Sequence, residues 1–224
     1  RQRQMCIRDR LPDDSKKDAV KQNVLKILNE KYGIEEEDFL SAELEIVPAG
    51  KARDCGLDRS MNLSYGQDDR VCSFANLEAI LDAKPGVKTQ AALLTDKEEI
   101  GSEGNTGLKS GYLAYFIEDL ARLEGFEGRD VLRHSKCLSA DVNAAFDPTW
   151  AFAYEKNNAS FVNNGVCVTK FTGARGKSET SDASAEYCSW VKALFENNGV
   201  LWQSGELGKV DGGGGGTVAM YIAN

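Results

Sequence analysis

Three acidic groups stand where chemistry tends to concentrate: Asp68-Asp69 just ahead of a helical stretch, Glu98-Glu99 just after an apolar run, and Asp141 just after another. Each alone reads as ordinary, because Asp and Glu favour helix first turns and solvated loops. Brought together beside apolar segments such as AALLT and CLS, they would repel one another unless a cation or a proton sat among them. The set therefore points to a metal. By residue type alone the donors are oxygens, which suit Mg²⁺ or Mn²⁺, whereas zinc sites normally include His or Cys.

Other candidates are weaker. The single histidine, His134, lies between basic neighbours in RDVLRHSK and fits no ligand spacing such as HExxH, so it reads as a surface or packing residue. Gly212 to Gly216 could form a linker or a substrate-facing turn at a helix start, but no Lys-Ser or Lys-Thr follows to make a phosphate loop. Lys170, Arg175 and Lys177 are close together in VTKFTGARGKSE. They read either as a solvated loop or as a carboxylate-recognition cluster.

These residues need elements to hold them. Residues 14 to 32 begin with Asp14-Ser15 and repeat Val20, Val24, Ile27 and Leu28 on one face, which predicts a helix. AELEIVPA (42–49) alternates like a half-buried strand, and RVCSFANLEAILDA predicts a second helix. KTQAALLT (88–95) reads as a buried strand, followed by the DKEEIGSEGNTG loop, an amphipathic helix from about Leu108 to Leu123 and a short helix near VLRHSK. Strands at KCLSAD, VCVTKF and VLWQ, a helix through SDASAEYCSWVKALFENN and a last one at TVAMYIA complete the pattern. That alternation predicts an α/β fold, a mainly parallel sheet flanked by helices, with sites at the carboxyl ends of strands.

Composition narrows the partners. The net charge is −8, and because the first ten residues, RQRQMCIRDR, carry +3, the remainder carries −11. Such a balance argues against nucleic acid or an anionic membrane as partner. The decapeptide lacks an apolar h-region and reads as a non-native remnant rather than a signal peptide. Six widely spread cysteines without a CxxC pair fit reduced thiols and a cytoplasmic location. The chain does not begin with Met and stops inside the helix-like TVAMYIAN, so both ends read as cut.

Taken together, YGQDDRVCSFANLEAIL, LLTDKEEIGSEGNTG, SADVNAAFDPTW and GGGGTVAMYIA resemble the aspartyl aminopeptidase and aminopeptidase I family of zinc metallopeptidases, over a span from about Leu44 to the C-terminus. The resemblance implies a two-zinc site in which Asp68 bridges the ions, Glu99 and Asp141 are ligands, and Glu98 is the general base. It also implies a cis link after Asp68 and a substrate-facing Lys170. The reaction would be hydrolysis of the first peptide bond of a peptide substrate, with a preference for an acidic N-terminal residue, and with Glu98 taking a proton from water and passing it to the leaving amine.

Two family features are absent from this sequence: an early His-Thr-Asp motif and a late His, each of which would supply a zinc ligand. The resemblance places both outside the 224 residues. It assigns residues 1–10 to the remnant, 11–41 to the end of an inserted oligomerisation domain, and 42–224 to a metallopeptidase domain incomplete at its C-terminus. The whole protein would be a homo-oligomer, with the fragment alone inactive. A binding or assembly module with a decayed site, or another metal-dependent amidohydrolase, remains open on the same residues.

Overall fold

The apolar spacing of Val20, Val24, Ile27 and Leu28 produces helix α1, Ala19–Tyr32. It ends at Gly33, whose φ of 71° lets its N–H reach Asn29 O at 2.8 Å. The computed structural model describes residues 18–174, 178–209 and 216–223. The decapeptide, the Asp14-Ser15 cap, Arg175, Lys177 and Gly212 to Gly215 lie outside the described residues. The chain divides between Tyr65 and Gly66 into two units. Among the described residues no helix is long and apolar enough to cross a membrane.

In the first unit, α1 is followed by a 3-10 turn, Glu36–Leu40, and by strands β1 (Arg53–Cys55) and β2 (Met61–Leu63). The strands pair antiparallel, Arg53 opposite Leu63 and Cys55 opposite Met61. Asp58 shapes the turn between them by accepting from the N–H (3.2 Å) and hydroxyl (2.8 Å) of Ser60. Residues 42–49, expected as a strand, carry no regular structure, and Ile46 is 96% exposed. Alternation marks a face to be buried, but a strand exists only where a neighbour supplies the ladder.

The second unit contains helix α2 (Gln67–Asp82), a 3-10 turn at Glu98–Ile100, α3 (Tyr112–Leu123), α4 (Gly128–Arg133) and a 3-10 stretch at Pro148–Ala153. Strands β3 (Val166–Val168), β4 (Phe171–Ala174) and β5 (Ser178–Asp182), helix α5 (Ala185–Asn197), strand β6 (Trp202–Ser204) and the short α6 (Met220–Ala223) follow. The expected VCVTKF strand is thus two strands separated by Thr169-Lys170.

The unit is α/β, and its parallel ladder among the described residues joins β3 to β6, with Val166 opposite Trp202 and Val168 opposite Ser204, while an isolated parallel bridge pairs Ala145 with Ser160. Strands β4 and β5 form an antiparallel hairpin between them in sequence. Residues 88–95 and 136–141, expected as strands, belong to no ladder, and Leu93 and Leu94 are exposed rather than buried. As with residues 42–49, pairing is a property of neighbours and not of the apolar run itself.

Helices α3 and α4 meet closely because Gly128 is buried against Glu118, whose Oε2 accepts from the Gly128 N–H at 2.7 Å. Among the described residues, Leu108, Ala121, Ala159 and Val191 are the buried apolar side chains. Helix α5 starts at Ser184, whose Oγ accepts from the Tyr187 N–H at 3.2 Å. The Tyr187 hydroxyl then donates to Cys137 O at 2.6 Å, tying α5 to the segment that leads to Asp141.

Candidate metal centre

All the candidate carboxylates lie in the second unit. Asp68 and Asp69 open helix α2. Gly66 precedes them at φ 73°, and both depart from helical geometry (Asp68 φ −86°, ψ 111°; Asp69 φ −116°, ψ 32°), so regular helix begins at Arg70. The Asp68–Asp69 peptide bond is cis, as the resemblance implied. The positive end of the helix dipole behind them favours negative charge at this position.

Glu98 and Glu99 sit on the 3-10 turn. Left-handed residues flank it, Lys97 (φ 65°) on one side and Gly101 (φ 92°) and Ser102 (φ 60°) on the other. The Gly101 N–H reaches Glu98 O at 2.9 Å and the Ser102 N–H reaches Lys97 O at 2.7 Å. Asp141 ends the unpaired segment after Cys137, and its Oδ1 accepts from the Val142 N–H at 2.6 Å. Two residues earlier, Ser139 Oγ is 2.8 Å from Thr217 Oγ1, so the exit of the glycine run is joined to this segment.

Carboxylate oxygens of Asp68, Asp69 and Asp141 lie within 4.8 Å of one another. The trio includes two of the three expected ligands, Asp68 and Asp141. Glu99 is not a member, and Asp69, which the sequence reading left without a ligand role, is. The available signal for Asp69 was its place beside Asp68.

The remaining carboxylates are coupled to the trio by charge. Burial pushes the Glu98 carboxyl above its ordinary range, and Asp141, Glu99, Asp68 and Asp69 push it further. Asp141 is raised first by burial, against the Val142 N–H that lowers it, and then by Asp68, Asp69 and Glu99. Both residues are exposed as wholes, so burial acts on the carboxyl end and the shared negative field is the feature that a cation would cancel. Three residues after Asp69, the half-buried Cys72 thiol is pushed up to about 12 by burial, by its hydrogen bond to Asp69 and by the charges of Asp69, Asp141 and Asp68.

The donor set suits a divalent cation. Three mutually repelling carboxylates converge, and Asp69 Oδ1 is a buried acceptor without a hydrogen-bond partner. Carboxylate oxygen is an accepted zinc donor. His134 is elsewhere: exposed, with its Nδ1 2.7 Å from Asp130 O at the end of α4, it has the surface place that the sequence reading allowed. Lys170 Nζ is 2.5 Å from Asp182 Oδ1 across the base of the β4–β5 hairpin.

Comparison with known proteins agrees with this chemistry. The family model described as aminopeptidase I zinc metalloprotease (M18) matches residues 4–224. A probable M18 family aminopeptidase 1 of Clostridium acetobutylicum is 49% identical over 217 residues, covering 95% of this chain and 47% of the relative. A crystal structure of an M18 aminopeptidase from Thermotoga maritima superimposes with a TM-score of 0.86 at 44% identity, over 95% of this chain and 48% of that one. The mApe1 dodecamer of Saccharomyces cerevisiae shares the fold at a TM-score of 0.66 and 23% identity, over 90% of this chain and 45% of that one. The chain spans about half the length of the curated relatives it matches.

Proposed function

Because the chain belongs to the aminopeptidase I zinc metalloprotease (M18) family, we propose that it carries the carboxylate part of a two-zinc aminopeptidase site. In this reading Asp68, Glu99 and Asp141 hold metal and Glu98 is the general base. The observation that carries it is the convergence of Asp68, Asp69 and Asp141 within 4.8 Å, inside one negative field shared with Glu98 and Glu99.

Zinc bound there supplies Lewis-acid polarisation of a carbonyl and of a water. Glu98 is suited to the proton work. Its carboxyl is held above the ordinary carboxylate range by burial and by its acidic neighbours, the direction that suits a group that accepts a proton and hands it on. In peptide hydrolysis a Glu98 oxygen takes the proton of the attacking water and returns it to the leaving amine.

The substrate is the free N-terminus of a peptide, with preference for an acidic first residue as the finer part of the reading. Lys170 is the residue offered for that preference. Its ammonium is held by Asp182, so it meets a substrate carboxylate from an anchored position. A homo-oligomeric whole protein belongs to the same reading, supported by the dodecamer of the yeast relative. So does a cytoplasmic location, in keeping with the five described cysteines, all free.

The test is made on the whole protein that contains this chain. It should release amino acids from unblocked peptides, lose that activity to a chelator, and regain it with zinc. Glu98→Gln should lower kcat by about 100- to 10,000-fold while zinc still binds. A Glu98→Gln enzyme with wild-type kcat would remove Glu98 from the role of base.

A further inference from the structure

Glu98 and Glu99 have no side-chain partner among the described residues. Among the described residues neither carboxylate makes a hydrogen bond or an ion pair, so the backbone of their loop decides where they stand. That loop is fastened to itself. The Asp96 N–H donates to Thr106 O at 3.2 Å, and the Thr106 hydroxyl donates to Asp96 Oδ2 at 3.2 Å, so the two ends are joined by a reciprocal pair of bonds.

Inside that closure the Ser102 N–H reaches Lys97 O at 2.7 Å, and Ser102 is 2% exposed. Its carbonyl in turn accepts from the Lys109 N–H at 3.2 Å. Gly107, also buried, passes so near that a Cβ there would lie 2.1 Å from Ser102 O. The turn that presents the two glutamates is thus held from both sides, with Asp96 and Thr106 as its clasp.

We propose that Asp96 and Thr106 are positioning residues whose hydroxyl–carboxylate contact holds Glu98 and Glu99 in register with the aspartate trio. The proposal rests on the zinc-site reading. It assigns no direct contact with metal or substrate to either residue, and it makes the Thr106 hydroxyl, rather than the bulk of its side chain, the active part.

The experiment compares the whole protein with Thr106→Val, Thr106→Ser and Asp96→Ala, measuring zinc affinity by competition with a chromophoric chelator, then kcat, KM and Tm. Thr106→Val should weaken zinc binding about tenfold or more, as loss of a group that orients a ligand does. Its kcat should fall at least as far, with KM within about threefold of wild type and Tm unchanged. Thr106→Ser should restore both.

Asp96→Ala removes the same contact from the other side and should reproduce the loss, so the proposal stays testable even if Thr106→Val fails to fold. Wild-type zinc affinity in Thr106→Val or Asp96→Ala, failure of Thr106→Ser to restore, or a loss that follows Tm would overturn it. Glu99→Gln separates the two levels. If it abolishes zinc binding while the clasp variants do not, the clasp alone falls; if zinc affinity ignores Glu99 as well, the zinc-site reading falls and the clasp with it.

Discussion

Lys170 and Asp182 face each other across the mouth of the β4–β5 hairpin, Nζ 2.5 Å from Oδ1, and the Lys170 carbonyl accepts from the Ala183 N–H at 2.9 Å. The hydrogen bond and charge of Asp182 raise the lysine above its ordinary range, so it is cationic at every working pH. If Lys170 reads an acidic first residue, Asp182 competes with the substrate for it. Asp182→Ala should then lower KM for such peptides by about two- to fivefold, a modest change because exposed ion pairs are weak. Lys170→Ala should erase the preference. A wild-type-like preference for acidic peptides in Lys170→Ala, with KM unchanged in Asp182→Ala, would remove this pair from specificity.

Metal binding should be visible without catalysis. Zinc added at about 100 times its Kd stabilises the state that binds it by about 2.7 kcal/mol, read as a rise in Tm. Asp68→Asn or Asp141→Asn should abolish that rise. In zinc-free protein the same substitutions relieve like-charge repulsion, so Tm should stay equal or increase. A zinc-free Tm that drops steeply would mark the trio as structural rather than metal-binding.

Cys72 reports on the same field. With its thiol pushed up to about 12, it should resist iodoacetamide at pH 8, as mass spectrometry of the labelled peptides can show. The sign of its linkage follows. The folded thiol keeps its proton above the ordinary value of 9.0, so this contribution to stability is whole below about 9 and is lost as pH rises toward about 12. Rapid labelling of folded protein at pH 8 would contradict the environment described for it.

Gly128 gives a stability prediction free of chemistry. A Cβ there would lie 2.6 Å from Glu118 Cα and 2.3 Å from Glu118 Oε2, the atom that accepts the Gly128 N–H. Gly128→Ala should cost about 1–3 kcal/mol of stability, read as a lower urea midpoint, the range for forcing an extra carbon into a close contact. A midpoint equal to the wild type's would mean that α3 and α4 separate without penalty.

Much of this molecule was legible without coordinates wherever the controlling interaction is local. Helix α1 follows from Val20, Val24, Ile27 and Leu28, and α2 from the run after Asp69, because side chains three and four apart meet on one helical face. The acidic groups stood out by type and by their places at element ends, and mutual repulsion alone was enough to suggest a cation.

Contacts between distant residues were decided only by the tertiary structure. Residues 42–49, 88–95 and 136–141 have the alternation or apolar run of strands, yet a ladder needs a second chain segment at the right spacing, and no local pattern encodes that neighbour. Asp69 joins Asp68 and Asp141 because the turn into α2 directs both aspartates toward a segment more than seventy residues away, a convergence that composition cannot express. The Asp96–Thr106 clasp and the Lys170–Asp182 pair likewise join residues ten and twelve positions apart, across a loop and a hairpin. Charge and period are written residue by residue; which charges meet is set by how the chain closes on itself.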